Sequence, residues 1–185
     1  LSHEGVEIYG TPRRLAVIAR QVIPRQLDLE RIDKGPAVDR AFDAAGKPTK
    51  AAEGFARSRG LTVDQLRVEE TDGGKYVMAT VHVPGRSAIE VLSEKLPEFV
   101  AGIKFVKSMR WNASGVSFSR PIRWLTALYD HHVIPFSYAG VNSSNFTRGL
   151  RPYASPQHDI TSASGYMNVL RSQGIRLDSD ERRAL

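Results

Sequence analysis

FVKSMRWNASGVSFSRPIRWLTALYDHHVIPFSY, residues 105–138, is the stretch on which the fold class turns. Its apolar residues fall into four short runs, 105–111, 116–119, 122–129 and 133–138, bounded by Gly, Pro, Asn and Asp. That spacing predicts four strands in succession. The last two are joined by a tight turn at Asp130-His131. Upstream, residues 87–103 predict a helix: Ser87 and Glu90 have capping-box spacing, and Ile89, Leu92 and Leu96 form an apolar stripe. Pro97 should kink or restart it. Before that, 66–71 and 75–83 read as a β-hairpin around Asp72-Gly73-Gly74, with Val77, Ala79, Val81 and Val83 on one face. Thr62 to Gln65 carries another capping box.

Nearer the start, 37–45 and 50–59 predict two short helices. The second has Thr49 as N-cap, Gly60 as its stop, and Glu53 and Arg57 four residues apart. Residues 24–36 are polar and bounded by prolines, and read as a mobile loop. In 6–22, Leu15, Val17 and Ala19 alternate with Ala16 and Ile18. A strand apolar on both faces is expected inside a sheet. Downstream, 162–173 is a last helix stopped by Gly174, and 180–185 open another. Strands and helices come in blocks, so the class is α+β: a mostly antiparallel or mixed sheet with several short helices packed on it. One domain is expected, with 1–60 and 61–185 as possible subdomains.

The 185 residues are 41% hydrophobic and 25% charged, which suits a folded protein with its own core. There is no cysteine, which removes disulfides, thiolate metal sites and cysteine nucleophiles, and agrees with a reducing cytoplasm. No apolar run approaches the roughly 20 residues that span a bilayer, and residues 1–9 lack the apolar centre of a signal peptide. Leu1 in place of methionine and the unfinished final helix suggest an excised segment.

The net charge of +6 is unevenly spread. Residues 104–151 hold seven basic groups against Asp130 alone, an excess equal to that of the whole chain. Such clustering is expected of a surface facing a polyanion; solvated strand ends would look the same. Three clusters stand out: Thr11-Pro12-Arg13-Arg14-Leu15, Lys107-Ser108-Met109-Arg110-Trp111 and Ser119-Arg120-Pro121-Ile122-Arg123-Trp124. A guanidinium or ammonium beside a ring can hold a phosphate while the ring stacks on a base. Equally, Trp111 and Trp124 can be core residues and the arginines cover strand ends. Gly46-Lys47-Pro48-Thr49-Lys50 enters a helix N-terminus, where backbone N–H groups and two lysines could receive a phosphate, or where Thr49 simply caps. The RNA-binding candidates are therefore Arg13, Arg14, Lys47, Lys50, Lys107, Arg110, Arg120 and Arg123. Asp130-His131-His132 reads as a turn, since adjacent histidines on extended chain point apart. Neither a metal site nor a catalytic residue is expected.

Four blocks, TPRRLAV (11–17), KGPAVDRAFDAAGKPTKAAEGFARSRG (34–60), KSMRW (107–111) and FSRPIRWL (118–125), resemble in order and spacing the glycyl-tRNA synthetase β subunit. The resemblance runs from about Glu7 to Arg183. It implies a heterotetramer of two α and two β chains, with the site for glycine, ATP and magnesium on α. It also implies a β chain needed for tRNA(Gly) binding and for assembly, and a stretch with no cofactor and no chemistry of its own. Two other readings stand beside it: a freestanding RNA-binding module, and an editing-type hydrolase, which would need a pocket with a water-activating residue.

Overall fold

The structure, a computed structural model, describes residues 1–71 and 73–184. The chain forms two compact units: Leu1–Gln26 together with Arg86–Leu185, and Leu27–Gly85 between them in sequence. The two crossings lie side by side, because the Gln26 N–H donates to the Arg86 carbonyl (2.9 Å) and the Ala88 N–H to the Pro24 carbonyl (2.8 Å). Residues 27–85 are thus a closed excursion from the first unit. Residue 60 falls inside it, since Val63 and Leu66 pack on the cluster of Ala41, Ala52 and Val77.

The first unit opens with β1 (Gly5–Thr11) and β2 (Arg14–Arg20), antiparallel from Gly5↔Arg20 to Thr11↔Arg14 and closed by Pro12-Arg13. Proline suits this turn because the ladder needs no N–H there. Tyr9 and Ala16 pack against Leu170, Ile175 and Leu177. Val6, Ile8, Leu15 and Val17 face outward and are exposed. The expectation of a strand inside a sheet is corrected: 6–22 is a two-stranded hairpin with one covered face.

In the second unit β3 (Leu29–Ala37) is followed by α1 (Val38–Ala41), α2 (Lys50–Ser58), β4 (Arg67–Thr71) and β5 (Gly74–Val83). The sheet order is β3-β5-β4, all antiparallel. Much of the expected mobile loop is therefore the edge strand β3, registered from Leu29↔Val83 to Lys34↔Met78 with a bulge before Ala37↔Tyr76. An edge strand needs ladder bonds on one side only, so its polar side chains can stay solvated. Asp33 also binds Arg31 (2.6 Å) and Arg59 (2.8 Å). The central strand β5 is buried through Val77, Met78 and Ala79. Thr49 caps α2, accepting from the Ala51 N–H, and Gly60 ends that helix region at φ +68°. Of the hairpin tip, Asp72 lies outside the described residues.

The first unit resumes with α3 (Ala88–Gly102), opened by the expected Ser87/Glu90 capping box. The helix carries Pro97 internally instead of restarting there. The four strands expected in 105–138 are short pieces: β6 (Met109–Arg110), β7 (Ser117–Phe118), β8 (Leu125–Thr126), β9 (Leu128–Tyr129), β10 (His132–Val133) and β11 (Ser137–Tyr138). After them come β12 (Val141–Ser144), β13 (Phe146–Arg148), β14 (Gln157–Asp159), α4 (Tyr166–Ser172) and α5 (Ser179–Arg183). The pairs β6-β7, β9-β10, β11-β12 and β13-β14 are antiparallel, whereas β8 joins β12 in parallel. Hydroxyls explain part of the fragmentation. Thr126 donates to the Phe146 carbonyl, Ser143 to Ile134 and Ser144 to Leu125, taking acceptors that a longer ladder would use. The class is α+β with antiparallel and mixed sheets, as the blocks of strands and helices imply.

Candidate nucleic-acid interface

Charge separates cleanly between the two units. By sequence the first holds 17 basic and 10 acidic residues, the second 9 and 10. Within the first unit, ion pairs use up charges elsewhere: Arg20 with Glu7, Arg86 and Lys95 with Glu94, Arg171 with Glu181, Arg183 with Asp180. Among the described residues none of the seven cations between Lys104 and Arg151 has an ion pair. The single acid there, Asp130, lies 3.3 Å from His131. Their positive field is therefore not cancelled locally.

The candidates differ in how they are held. Lys107, Arg120 and Arg123 are exposed, and so is Arg13 in the β1–β2 turn. Arg110 is exposed but its Nε donates to the Gly115 carbonyl (3.1 Å), bracing the loop that joins β6 to β7. Arg14 is different. It is half-buried, its guanidinium lies 5.5 Å from the centroid of the Trp124 ring, and Nη2 donates to the Arg148 carbonyl. Burial pushes its pKa down, opposed by the Tyr166 hydroxyl and reinforced by Arg13, but an arginine stays charged through such a shift. Burial likewise pushes the Tyr166 phenol up, against the neighbouring Arg14 charge and the Thr147 hydroxyl. Arg14 thus joins the hairpin tip to Trp124 and β13, while its neighbours Arg13 and Arg123 present their charges to solvent.

Trp111 and Trp124 are both half-buried, between the two roles open to them from sequence. Phe105 and Phe118 meet edge to face at 4.6 Å and fix the base of the β6–β7 hairpin. Arg148, on the Phe146 ring at 5.3 Å, and Tyr166 belong to the same neighbourhood. Sequence reasoning singles out neither. Arg148 is visible there only as one member of the 104–151 charge excess.

Lys47 and Lys50 lie in the second unit, after a loop that Asp43 closes. The Asp43 carboxylate accepts the N–H groups of Ala45 (2.9 Å) and Lys47 (2.8 Å), and its carbonyl accepts that of Gly46 (2.9 Å). Thr49 in turn accepts the Ala51 N–H at the start of α2.

Among the described residues no group of three or more His, Asp or Glu side chains is placed to share a metal ion. A hollow of about 390 Å³ is lined by Val133, Pro135, Phe136, Ser137, Asn142 and Ser143. None of these is an acid or base near neutral pH. The Ser143 hydroxyl is held between the Ile134 carbonyl and the Phe136 N–H. No described helix is long and apolar enough to cross a membrane.

The profile of the family described as glycyl-tRNA synthetase beta subunit matches residues 1–185. The chain belongs to that family. Its relatives include glycine–tRNA ligase, chloroplastic/mitochondrial 2, of Arabidopsis thaliana, 45% identical over all of this chain and 17% of that protein. They also include the glycine–tRNA ligase beta subunits of Moorella thermoacetica and Nitratidesulfovibrio vulgaris. The first is 45% identical over 97% of this chain and 26% of that subunit, the second 40% identical over 100% and 26%. The chain therefore spans about a quarter or less of the length of these glycyl-tRNA synthetase relatives.

Proposed function

We propose that this chain is an RNA-facing part of a beta-type subunit of glycine–tRNA ligase. It supports attachment of glycine to tRNA(Gly) by holding the nucleic acid and by joining a catalytic alpha subunit. Chemistry with glycine, ATP and magnesium is assigned to that partner, in a heterotetramer acting where translation runs, in bacteria the cytoplasm. This stretch alone neither activates glycine nor charges tRNA. The reading is carried by one observation: among the described residues, the seven cations between Lys104 and Arg151 stand without ion pairs in the unit that holds the chain's entire positive surplus. An unpaired basic surface binds a polyanion by releasing its counterions, and that contribution fades with salt.

The test follows from that dependence. In the assembled ligase, Arg110→Ala, Arg120→Ala and Arg123→Ala are made separately, and tRNA affinity is measured across salt concentrations. For each side chain that neutralises a phosphate, its removal should flatten the slope of log K against log salt by roughly 0.7–0.9. Glycine activation by the alpha subunit should be unchanged. Unchanged slopes in all three variants, with assembly intact, would leave the charges as solvated surface and end the RNA reading. A loosened assembly with lower glycine activation would assign them to subunit contact instead.

A further inference from the structure

The hairpin of β1 and β2 leaves one face of its sheet bare. Residues that face each other across the pair share a side, and Val6↔Ala19, Ile8↔Val17 and Gly10↔Leu15 all lie on the outer one. Val6, Ile8, Leu15 and Val17 are 48, 76, 53 and 47% exposed. The six positions carry no charge. Tyr9 and Ala16, on the other side, are taken up by Leu170, Ile175 and Leu177.

Single exposed apolar residues are ordinary, but a contiguous uncharged patch marks a contact. Its composition indicates which kind. Cores of contacts between separately folded proteins are enriched in aromatic residues, methionine and arginine. Here there are only Val, Ile, Leu, Ala and Gly, the composition of a strand buried on both faces within one domain. The beta subunits this chain resembles are much longer: it covers 26% of the Moorella thermoacetica and Nitratidesulfovibrio vulgaris proteins. In a subunit of that length, most of the polypeptide lies outside this stretch and is tethered to it. The tether gives it a local concentration that a free partner does not reach.

We propose that the outer face of β1 and β2 is a docking surface for an apolar layer supplied by the remainder of the same beta-type polypeptide. The hairpin then becomes a sheet covered on both sides. The inference rests on family membership and is independent of the RNA reading.

The stretch contains no cysteine, so Ile8→Cys or Val17→Cys places a single thiol on this face. In the full-length assembled ligase, two measurements are made on each variant. Alkylation of the thiol, read on its own peptide, should be about tenfold or more slower than in the urea-unfolded subunit, as for a site that reacts only through local opening. A benzophenone attached to the same thiol and irradiated should link to residues of the same chain outside this stretch, leaving subunit mobility on a denaturing gel essentially that of one chain. Alkylation as fast as in the unfolded subunit overturns the proposal. So does a link to the alpha subunit, to a second beta chain, or only to residues within this stretch.

Discussion

Gly35 lies in β3 under the ring of Phe55 from α2. A methyl group built on it would stand 2.6 Å from Phe55 Cε1 and 2.8 Å from both Cδ1 and Cζ. Carbon atoms pack at about 3.5–4.0 Å, so Gly35→Ala drives the methyl well inside contact with three atoms of a planar ring. Two effects oppose each other. Alanine restricts the unfolded chain and stabilises by about 0.4–1 kcal/mol where the native backbone suits it. Overpacking costs about 1–3 kcal/mol. The clash should win, because the ring cannot retreat without disturbing the contacts α2 makes with Ala41 and Val77 through Ala52. The expected outcome is a net loss of roughly 1–2 kcal/mol confined to the second unit. Both tryptophans lie in the first unit, so fluorescence would miss the change. Hydrogen exchange resolved to peptides covering Val77–Ala79 would show it, with exchange about 5- to 30-fold faster at that loss. In a Phe55→Leu background the penalty should shrink, since the obstructing edge is gone. Unaltered exchange in Gly35→Ala, or an equal penalty in both backgrounds, would refute the reasoning.

Other outcomes follow from the same geometry. Thr49→Ala removes the α2 cap and the bond from Thr49 to the Arg40 carbonyl (2.7 Å). It should cost about 0.5–2 kcal/mol in exchange-measured stability of the second unit, with Thr49→Ser restoring most of it. Hydrogen bonds from Arg31 and then Arg59 hold the Asp33 carboxyl below the ordinary carboxylate range. Its stabilising effect is therefore full above the unfolded value near 3.9 and is lost as pH falls through the lower folded value. Acid titrations of stability should show a shallower acid limb in Asp33→Asn than in the parent. Lys47→Ala and Lys50→Ala should leave the salt slope of tRNA binding unchanged, because both lie in the unit whose acidic residues outnumber its basic ones. A flatter slope in either would restore that lysine as a phosphate contact.

Local chemistry was readable from residue order wherever neighbours in sequence settle the structure. The caps at Thr49 and Ser87 form as their spacing requires, because a side chain reaching a backbone N–H two or three residues on needs no distant partner. At Thr62 the Gln65 side chain reaches back to accept the Thr62 N–H. The stop at Gly60 and the β4–β5 hairpin are local for the same reason. The basic excess of 104–151 and the family resemblance are also properties of sequence. What only tertiary structure decided depends on which strand finds a partner. Residues 29–37 have no apolar period, yet they form a strand because β5 offers an open edge across the unit. Residues 6–22 have the pattern of an interior strand, yet they fold back on themselves as a two-stranded hairpin, since the strand neighbours within a sheet are not encoded in its own alternation. The same holds among the candidates. Arg13 and Arg14 are indistinguishable as residue types, but one is exposed in a turn and the other is committed to the Trp124 ring and the Arg148 carbonyl. The Asp43 carboxylate meets the Ala45 and Lys47 N–H groups only because the loop folds it back on itself, a contact that residue types alone do not fix.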